Sequence, residues 1–348
     1  MKVALDATYS AGDRLSGVGV YSRRLLDGLA TRHGEANYLW CYRPHRFLRS
    51  LPLIPPRHVR RRLLLDSWPP SCDLFHGLNQ RMPARRASRT VSTFHDLFVL
   101  TADYSTPEFR ARFAAQAREA AERSDLIIAV SRFTAQQVED LLAVPPARIR
   151  VVPHGVPQRE PGPPQSERPN TILSVGALQR RKNTMRLVEA FELTPPGWKL
   201  VLAGSTGFDS ERILRRIAES PRSRDIVLAG YVSDFTRSRL YEEAAIFAFP
   251  SLDEGFGIPV LEAMAAGAAV LTSHGGALRE VAGDAAMLVD PLEVSSIAEG
   301  LTTLMKVRTL REQLAAAGYE RAARFTWESA IDQTWNVYRE LAVRVGDG

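Results

Sequence analysis

The sequence predicts an α/β protein built from two doubly wound, Rossmann-like parallel-sheet domains, and three observations support this. Short apolar runs alternate with segments whose apolar residues recur at helical spacing, which is typical of βαβ units. A proline-rich, non-periodic stretch over residues 156–170 interrupts the alternation, which restarts at Thr171. A length of 348 residues also suffices for two cores. We therefore expect a first domain over 1–155, a linker over 156–170, a second domain over 171–325 and a terminal helix over 326–348.

The first domain is expected to begin with a strand, a glycine-containing loop and a helix. Val3–Asp6 has the short apolar pattern of a buried strand, and residues 12–19 form the loop. The helix that follows carries apolar residues on one side, at Val20, Leu25, Leu26 and Leu29. Further strands are predicted over residues 38–42, 73–77, 90–96, 125–131 and 149–152. Thr106 and Ser131 are predicted N-caps of two helices in this domain.

The second domain is expected to repeat this arrangement. Strands are predicted over residues 171–176, 199–204, 226–229 and 246–251, and helices near 183–192, 209–219 and 259–267. Gly267 is the expected C-cap of the last of these helices. An amphipathic helix near the end of the chain has an apolar face formed by Ile331, Trp335, Val337, Tyr338 and Leu341. This terminal helix can pack on either domain, and packing on the first domain is the leading option.

The composition excludes several classes of protein. No apolar run approaches the roughly 20 residues that a membrane-spanning helix needs, and the start of the chain lacks the apolar region of a secretory signal. Cys41 and Cys72 form neither a disulfide framework nor a metal-ligand spacing, and the histidines at 76, 95, 154 and 274 also lack such a spacing. We therefore expect a cytoplasmic protein without a metal or cofactor. No basic-aromatic pattern indicates a nucleic-acid partner.

Positive charge is concentrated in the first part of the chain. Residues 1–155 contain 23 Lys and Arg against 14 Asp and Glu, whereas the remainder contains 22 against 25. Within residues 43–70, clustered arginines adjoin Leu63–Leu65 and Trp68, a pattern typical of an interfacial membrane patch. A solvated helix face that packs Leu63–Leu65 inward is the alternative. The basic half thus indicates an anionic partner, such as a membrane surface or a phosphorylated acceptor, or simply an arginine-rich coding bias.

The stretch Glu254–Glu262 is the leading candidate for a ligand site. It follows a predicted buried strand and opens a predicted helix, so that one carboxylate lies on the loop and the other in the first helical turn. Gly255 and Gly257 let the backbone approach a ligand, Pro259 suits the first turn, and a helix start offers free N–H groups. The two carboxylates can accept paired hydrogen bonds from the vicinal hydroxyls of a ribose or hexose. A structural pair of acids is the alternative.

Other polar residues lie at the ends of predicted strands or in the loops after them, where parallel sheets bind ligands. They are His76, His95 with Asp96, and the basic triplet 180–182. Each histidine also has a purely structural explanation. The triplet lies between a strand and a helix start, which favours phosphate binding over a solvated role. Gly17 and Gly19 form an incomplete dinucleotide fingerprint, for which a tight turn without a ligand is the alternative.

Glu254 and Glu262, with seven residues between them inside Asp253–Gly267, resemble the acidic signature of the family 4 retaining glycosyltransferases. Four further segments resemble the same family in chain order: Thr93–Asp96, Val175-Gly176 followed by Arg181-Lys182-Asn183, Gly230–Asp234, and Ser273–Glu280. The Arg-Lys-Asn form is similar to that of mannosyltransferase-like members that build bacterial surface polysaccharides. The resemblance covers most of the chain and implies a GT-B fold, in which two Rossmann-like domains face each other across a cleft.

The resemblance also implies roles for individual residues. Lys182, helped by a neighbouring arginine, would neutralise the donor diphosphate, Glu262 would bind the ribose, and Glu254 would contact the transferred sugar. His95 would lie at the reacting sugar, so that His95 and Glu254 are the implied catalytic residues. The implied donor-binding residues are Gly17, Gly19, Arg181, Lys182, Gly255, Phe256, Gly257, Glu262, Gly275 and Gly276. Many members place an arginine where this chain has Ala177, which leaves open whether Arg180 or Arg181 partners Lys182.

The function implied by the resemblance is retaining transfer of a hexose, with mannose favoured, without a metal ion. The donor would be a nucleotide-diphosphate sugar, with a GDP-sugar favoured over a UDP-sugar. The acceptor would be a glycan or a polyprenyl-linked glycan in surface polysaccharide synthesis, reached in the cytoplasm or at the inner face of the cytoplasmic membrane. Two alternatives are another GT-B enzyme, such as a nucleotide-sugar epimerase or a sugar-phosphate synthase, and a non-catalytic nucleotide-sugar-binding subunit.

Overall fold

The backbone passes twice between two units in the computed structural model, which describes residues 1–12, 15–85 and 87–343. The first unit is formed by Met1–Gly155 together with the chain from Thr326 onward, and the second by Val156–Phe325. Each unit contains one parallel sheet with helices on its faces. The prediction of two doubly wound α/β domains is therefore confirmed.

The sheet of the first unit has the strand order β3-β2-β1-β4-β5-β6-β7, with neighbouring strands parallel. These strands are β1 Lys2–Asp6, β2 Asn37–Tyr42, β3 Val59–Leu63, β4 Leu74–Gly77, β5 Thr90–Phe94, β6 Leu126–Ala129 and β7 Ile149–Val151. The helices between them are α1 Gly17–Arg32, α2 Pro44–Phe47, α3 Phe98–Thr101, α4 Pro107–Arg123 and α5 Arg132–Leu142. Thr106 and Ser131 cap α4 and α5, as predicted: each side chain accepts a hydrogen bond from a backbone N–H of the first turn.

The sheet of the second unit has the strand order β10-β9-β8-β11-β12-β13, again with parallel neighbours. Its strands are β8 Thr171–Val175, β9 Lys199–Ala203, β10 Ile226–Gly230, β11 Ile246–Phe249, β12 Ala269–Ser273 and β13 Met287–Val289. Its helices are α6 Thr184–Glu192, α7 Ser210–Ala218, α8 Asp234–Glu243, α9 Ile258–Ala265, α10 Gly276–Ala282, α11 Val294–Lys306 and α12 Arg308–Ala322. Short 3₁₀ turns cover Thr8–Ser10, Leu48–Ser50, Pro146–Arg148, Arg180–Lys182 and Ser223–Asp225.

The order of each sheet reverses direction at one pair of strands. In the first unit this pair is β1 and β4, and in the second it is β8 and β11. In open parallel sheets the loops that leave the carboxyl ends of such a pair diverge and leave a crevice for a ligand. The loops after β8 and β11 carry Arg181, Lys182 and Glu254, so the topology alone brings these three predicted site residues to one edge of the sheet.

The last helix, α13 (Trp327–Val343), packs in the first unit. Ile331 and Tyr338 belong to the same buried apolar cluster as Leu25 and Leu29 of α1. The two helices approach most closely at Gly28, where an added Cβ would come within 2.0 Å of Ile331. No helix among residues 1–12, 15–85 and 87–343 is both long enough and apolar enough to cross a bilayer.

The proline-rich segment packs on the second unit. Arg168 is buried, and its guanidinium donates hydrogen bonds to the carbonyl oxygens of Pro163 (2.8 Å), Ala244 (2.8 Å) and Ala266 (2.7 Å). The sequence predicts a linker over 156–170, whereas the structure places these residues inside the second unit. The chain passes between the units at Gly155–Val156 and again at Phe325–Thr326.

The arginine-rich segment around β3 does not form the solvated helix that one interpretation of the sequence predicts. A solvated helix with Leu63–Leu65 packed inward is wrong, because residues 59–63 form β3 at the edge of the sheet. Leu64 is fully buried, whereas Leu63 and Leu65 are 43% and 42% exposed. The strand forms because it pairs with β2, whose register matches Tyr42 with Leu63.

Candidate functional site

The loops after β8 and β11 are held together at the carboxyl edge of the second sheet. The N–H of Leu252 donates to the carbonyl oxygen of Arg181 at 2.9 Å. Asn183 has a left-handed backbone with φ of 59°, and its side-chain amide donates to the carbonyl oxygens of Pro250 (2.9 Å) and Pro291 (2.7 Å). These bonds anchor the 3₁₀ turn Arg180–Lys182 to the loop that contains Glu254.

Glu254, Arg181 and Lys182 form one ion-pair cluster, which we call the carboxylate–cation triad. Oε1 of Glu254 lies 2.5 Å from Nζ of Lys182, and Oε2 lies 2.8 Å from Nη1 of Arg181. The hydroxyl of Ser251 donates a further hydrogen bond of 2.7 Å to Oε1. The ammonium of Lys182 also lies over the ring of Phe249, 4.6 Å from its centroid. The predicted residues of this loop pair are therefore in direct contact.

The triad is largely withdrawn from solvent, with side-chain exposures of 9% for Arg181, 14% for Lys182 and 10% for Glu254. Burial would raise the pKa of the Glu254 carboxyl, but the charges of Arg181 and Lys182 outweigh it and hold that pKa at about 2. Glu254 is therefore ionised at neutral pH. Two cations and one anion leave a net positive charge at a crevice, an arrangement suited to an anionic ligand.

Arg181, rather than Arg180, lies beside Lys182 in the structure. Arg181 is buried and shares Glu254 with the lysine. Arg180 instead points to the surface, where it lines a separate cavity of about 330 Å³ with Arg186 and Asp209. Sequence reasoning missed Ser251 as a partner of Glu254. Its position at the end of a predicted buried strand is the same signal that indicates His95.

Glu262 lies in the same unit, but not where the sequence predicts it. Helix α9 begins at Ile258, after Gly257 with φ of +115°, so Glu262 is its fifth residue and lies in the second turn rather than the first. Its Oε1 is 3.6 Å from Nη2 of Arg237, a residue of α8 that sequence reasoning missed. Burial raises the pKa of the Glu262 carboxyl, against the opposing charge of Arg237. The only sequence signal for Arg237 is its spacing of one helical turn after Asp234, with which it also pairs at 3.0 Å.

The other predicted donor-binding residues of this unit have different surroundings. Phe256, which follows Gly255, is 5% exposed, and its ring packs edge-on against Phe325 at 6.0 Å. An added Cβ at Gly275 would meet no atom within 4 Å, so its backbone borders open space. Gly276, with φ of +62°, begins α10. Their contacts with a donor remain predictions.

In the first unit, His95 is a buried residue at the end of β5. Its Nε2 lies 2.9 Å from the carbonyl oxygen of Leu78, and its Nδ1 lies 3.3 Å from Nε2 of His154. The two imidazole rings are stacked, with centroids 5.3 Å apart. Burial lowers the pKa of His95 to about 4. Because the Leu78 carbonyl can only accept a hydrogen bond, Nε2 of His95 carries the proton and Nδ1 accepts from His154.

A second buried network lies beside this pair. The imidazole of His76 bonds to the hydroxyl of Tyr338 through Nδ1 (2.6 Å) and to the hydroxyl of Thr93 through Nε2 (2.8 Å). Thr93 in turn bonds to the hydroxyl of Tyr21 at 2.9 Å. The ring of Tyr21 packs edge-on against His95, with centroids 4.7 Å apart. Helices α1 and α13 thus contribute polar groups around the ends of β4 and β5.

The two glycines of the first loop have unequal surroundings. Gly17 begins α1, and an added Cβ there would meet no atom within 4 Å. An added Cβ at Gly19 would meet the carbonyl oxygen of Tyr9 at 2.8 Å, so packing inside the unit already requires glycine there. Ser16 caps the helix by accepting the N–H of Gly19 at 3.3 Å. Asp13 and Arg14 of the predicted loop 12–19 lie outside the described residues.

Comparison with known proteins finds related families for both halves of the chain. The family model described as "Glycosyl transferases group 1" matches residues 158–321, and "Glycosyltransferase Family 4" matches residues 15–160. O-antigen chain mannosyltransferase B of Escherichia coli is 31% identical over 284 residues, covering 77% of this chain and 74% of the relative. The serotype-specific mannosyltransferase WbdA of Escherichia coli is 30% identical over 260 residues, covering 69% of this chain but only 32% of that longer protein.

Solved structures show the same architecture. Sucrose-phosphate synthase from Thermosynechococcus elongatus superposes with a TM-score of 0.81 at 20% identity, covering 99% of this chain and 100% of that one. HepE of Anabaena, solved with UDP and glucose, superposes with a TM-score of 0.75 at 16% identity, covering 98% and 100%. The GT-B fold predicted from the sequence is confirmed. The two family matches, together with a relative that is 31% identical and matched over 74% of its length, show that the chain belongs to the family 4 glycosyltransferases.

Proposed function

We propose that the protein is a retaining, metal-independent hexosyltransferase that moves mannose from a nucleotide-diphosphate sugar to a glycan or lipid-linked acceptor. Relatives named as O-antigen and serotype-specific mannosyltransferases support mannose as the sugar and surface polysaccharide as the product. A GDP-sugar is the favoured donor, and a UDP-sugar is the alternative because HepE was solved with UDP. We place the reaction in the cytoplasm, at the inner face of the membrane when the acceptor is lipid-linked.

The carboxylate–cation triad is the observation that carries this proposal. As the bond between the sugar and the diphosphate breaks, negative charge accumulates on the leaving diphosphate. Lys182 and Arg181 are held in place before the donor arrives, so they stabilise that charge without reorganisation. A metal ion can play the same part in other enzymes, and the two cations make one unnecessary here.

The triad also suggests how Glu254 acquires a second role. In the structure both of its carboxylate oxygens pair with cations, Oε1 with Lys182 and Oε2 with Arg181. A donor diphosphate competes for these cations, and its oxygens replace those of Glu254 as their partners. The carboxylate then becomes available to accept hydrogen bonds from hydroxyls of the transferred sugar. Glu262, on the helix that follows, is the proposed ligand of the ribose.

We assign no protein nucleophile to the reaction. Retention by attack from the face that the leaving group vacates needs only that the acceptor hydroxyl be placed beside the departing diphosphate, whose oxygens can take its proton. The first unit is the proposed acceptor-binding unit. His95 has both ring nitrogens occupied and a pKa near 4, so its proposed contribution is to shape the sugar site rather than to transfer a proton near neutral pH.

The test is a transfer assay with GDP-, UDP- and ADP-sugars and a mannose-terminated acceptor, with NMR of the product anomer. We expect transfer from GDP-mannose with retention, unchanged by EDTA. Lys182→Ala should lower kcat/KM by roughly a hundredfold or more, the usual cost of removing one group that stabilises a leaving charge. Lys306→Ala, which removes an exposed lysine from the same unit, is the matched control.

Three results would contradict the proposal: an inverted product, activity that disappears in EDTA and returns with Mg²⁺ or Mn²⁺, or equal activity in both lysine variants. Tight donor binding with no turnover on any acceptor would instead favour a nucleotide-sugar-binding subunit. Conversion of the donor without any acceptor would favour a nucleotide-sugar epimerase or a sugar-phosphate synthase.

A further inference from the structure

Exposed apolar side chains are concentrated at one edge of the first unit. Residues 44–68 include side chains that are strongly exposed although they are large and apolar: Leu48 (75%), Leu51 (51%), Ile54 (93%), Leu63 (43%), Leu65 (42%) and Trp68 (72%). We call these residues, together with Arg60 and Arg62, the β3 edge surface. Exposing so much apolar area on a short segment is unfavourable in water and is typical of a surface that meets a partner.

Backbone and side-chain contacts bring these residues together in space. Arg61 of β3 donates to the carbonyl oxygens of Leu51 and Leu53, which fastens the loop before the strand against the strand itself. Tyr42 pairs in register with Leu63 and lines the same cavity as Ile54. Leu65 and Trp68 follow directly and are joined to each other by a β-bridge. The apolar side chains therefore flank one strand.

The charge of this region is almost entirely positive. Residues 44–70 contain six arginines and a single carboxylate, Asp66. That carboxylate is already paired with Arg43 and Arg81. Arg60 and Arg62 project from β3 into a cavity of about 250 Å³ that Lys2 and His58 also line. Arg60 and Arg62 alternate with Leu63 along β3, so the arginines and the apolar side chains border the exposed edge of this strand from its two faces.

We propose that the β3 edge surface docks on an anionic lipid bilayer. Its apolar side chains would enter the boundary between headgroups and acyl chains, while the arginines would lie against lipid phosphates. Charge complementarity argues for a bilayer, because an anionic lipid surface neutralises many arginines at once without a shaped groove. The proposal rests on the proposed function in one respect, namely that a lipid-linked acceptor is met at such a surface.

The test is co-sedimentation of the full chain with phosphatidylcholine vesicles, with and without phosphatidylglycerol, in the absence of donor and acceptor. We expect binding to the anionic vesicles at low salt and its loss at high salt, because attraction between exposed charges is screened. Vesicles of phosphatidylcholine alone should bind weakly. Because no transfer is measured, failure of this experiment leaves the proposed glycosyltransferase activity untouched, and failure of the transfer assay leaves this result untouched.

Two double variants separate the charged and apolar contributions. Arg60→Ser with Arg62→Ser should lower the partition coefficient roughly fivefold for each arginine. Ile54→Ser with Trp68→Ser should lower it roughly tenfold or more, even at low salt. Arg224→Ser and Leu193→Ser are the matched controls, because they remove an exposed arginine and a 67% exposed leucine from the second unit. An unchanged melting temperature in each variant shows that the fold is intact.

Several outcomes would overturn the proposal. They are no binding to anionic vesicles, equal binding to neutral vesicles, and equal loss of binding in the control variants. A further one is a concentration-dependent dimer without lipid that Ile54→Ser with Trp68→Ser dissociates. That result would identify a second copy of the chain as the partner of the β3 edge surface.

Discussion

Nζ of Lys182 lies 2.5 Å from Oε1 of Glu254, although the two residues are 72 positions apart in the chain. The contact exists because β8 and β11 are neighbours in the second sheet, so that the loops leaving them meet. In this pair the carboxylate holds the ammonium in place, and the ammonium helps to keep the carboxylate ionised. We therefore expect a diphosphate bound by Lys182 and Arg181 to exchange one ion pair for another.

The first prediction concerns acid stability. The pKa of Glu254 is about 2 in the folded protein against an ordinary value of 4.5, so its ionised form stabilises the fold above pH 4.5, and this contribution is lost as the pH falls from 4.5 to 2. Between pH 5 and pH 3, the free energy of unfolding measured in urea should fall further in wild type than in Glu254→Gln, by about 2 kcal/mol. Equal losses would show that the triad does not stabilise the ionised form.

The second prediction separates binding from transfer in Glu254→Gln. Without the carboxylate, Arg181 and Lys182 keep both positive charges for the ligand, so a nucleoside diphosphate should bind as tightly as to wild type or more tightly. Transfer should fall at least tenfold, because the sugar loses the proposed carboxylate contact. Calorimetry with GDP and UDP, beside a steady-state assay, checks both expectations. Glu299→Gln, an exposed change in the same unit, should alter neither value, and weaker nucleotide binding in Glu254→Gln would contradict the competition between carboxylate and diphosphate.

Much of the fold follows from local patterns. Short unbroken apolar runs predict central strands such as β6 and β11, because a strand buried on both faces is continuously apolar. Strand β3 has no such pattern, since Arg60, Arg61 and Arg62 stand where alternation is expected, and it forms only by pairing with β2. An edge strand depends on its neighbour more than on its own sequence.

The sequence predicts which residues belong to the candidate site, but it does not predict the contacts between them. Lys182 and Glu254 could be singled out from their positions after strands, whereas their ion pair depends on the order of β8 and β11. The bond between His95 and His154 likewise joins residues 59 positions apart. The prediction that Glu262 lies in the first turn of its helix is wrong, because α9 begins at Ile258, after Gly257 with its positive φ.

The third prediction concerns the buried imidazole of His95. Its pKa is about 4 in the folded protein and 6.5 in an ordinary environment, so the unfolded chain takes up the proton first as the pH falls. The contribution of His95 to the free energy of unfolding is fully present above pH 6.5. It is lost as the pH falls from 6.5 to 4, and the loss is up to about 3 kcal/mol. Buried His76 and His154 act in the same direction.

The comparison of unfolding free energies at pH 7.5 and pH 5 isolates the contribution of His95. His95→Gln can still donate to the Leu78 carbonyl, and its stability should depend less steeply on pH than that of wild type. His45→Gln removes an exposed histidine from the same unit and should leave the slope unchanged. If the free energy of unfolding changed equally with pH in wild type and in His95→Gln, the pKa of His95 would be the same in the folded and unfolded chains, and the prediction would be wrong.

The fourth prediction concerns Glu262 and the ribose. A carboxylate that accepts hydrogen bonds from ribose hydroxyls should contribute about 1.5–3 kcal/mol to nucleotide binding. Glu262→Gln should therefore weaken the nucleoside diphosphate roughly tenfold or more. The fold should tolerate the change, since Arg237 keeps Asp234 as a partner at 3.0 Å.

Deoxynucleotides turn this prediction into a double-mutant cycle. Removing the 2′- or 3′-hydroxyl from the nucleotide should weaken its binding to wild type by the amount that Glu262→Gln costs. In the variant the same deoxynucleotide should bind almost as well as the parent nucleotide, because the partner of the missing hydroxyl is already changed. Additive losses, measured by calorimetry at pH 7.5, would show that Glu262 acts through Arg237 and not on the ribose.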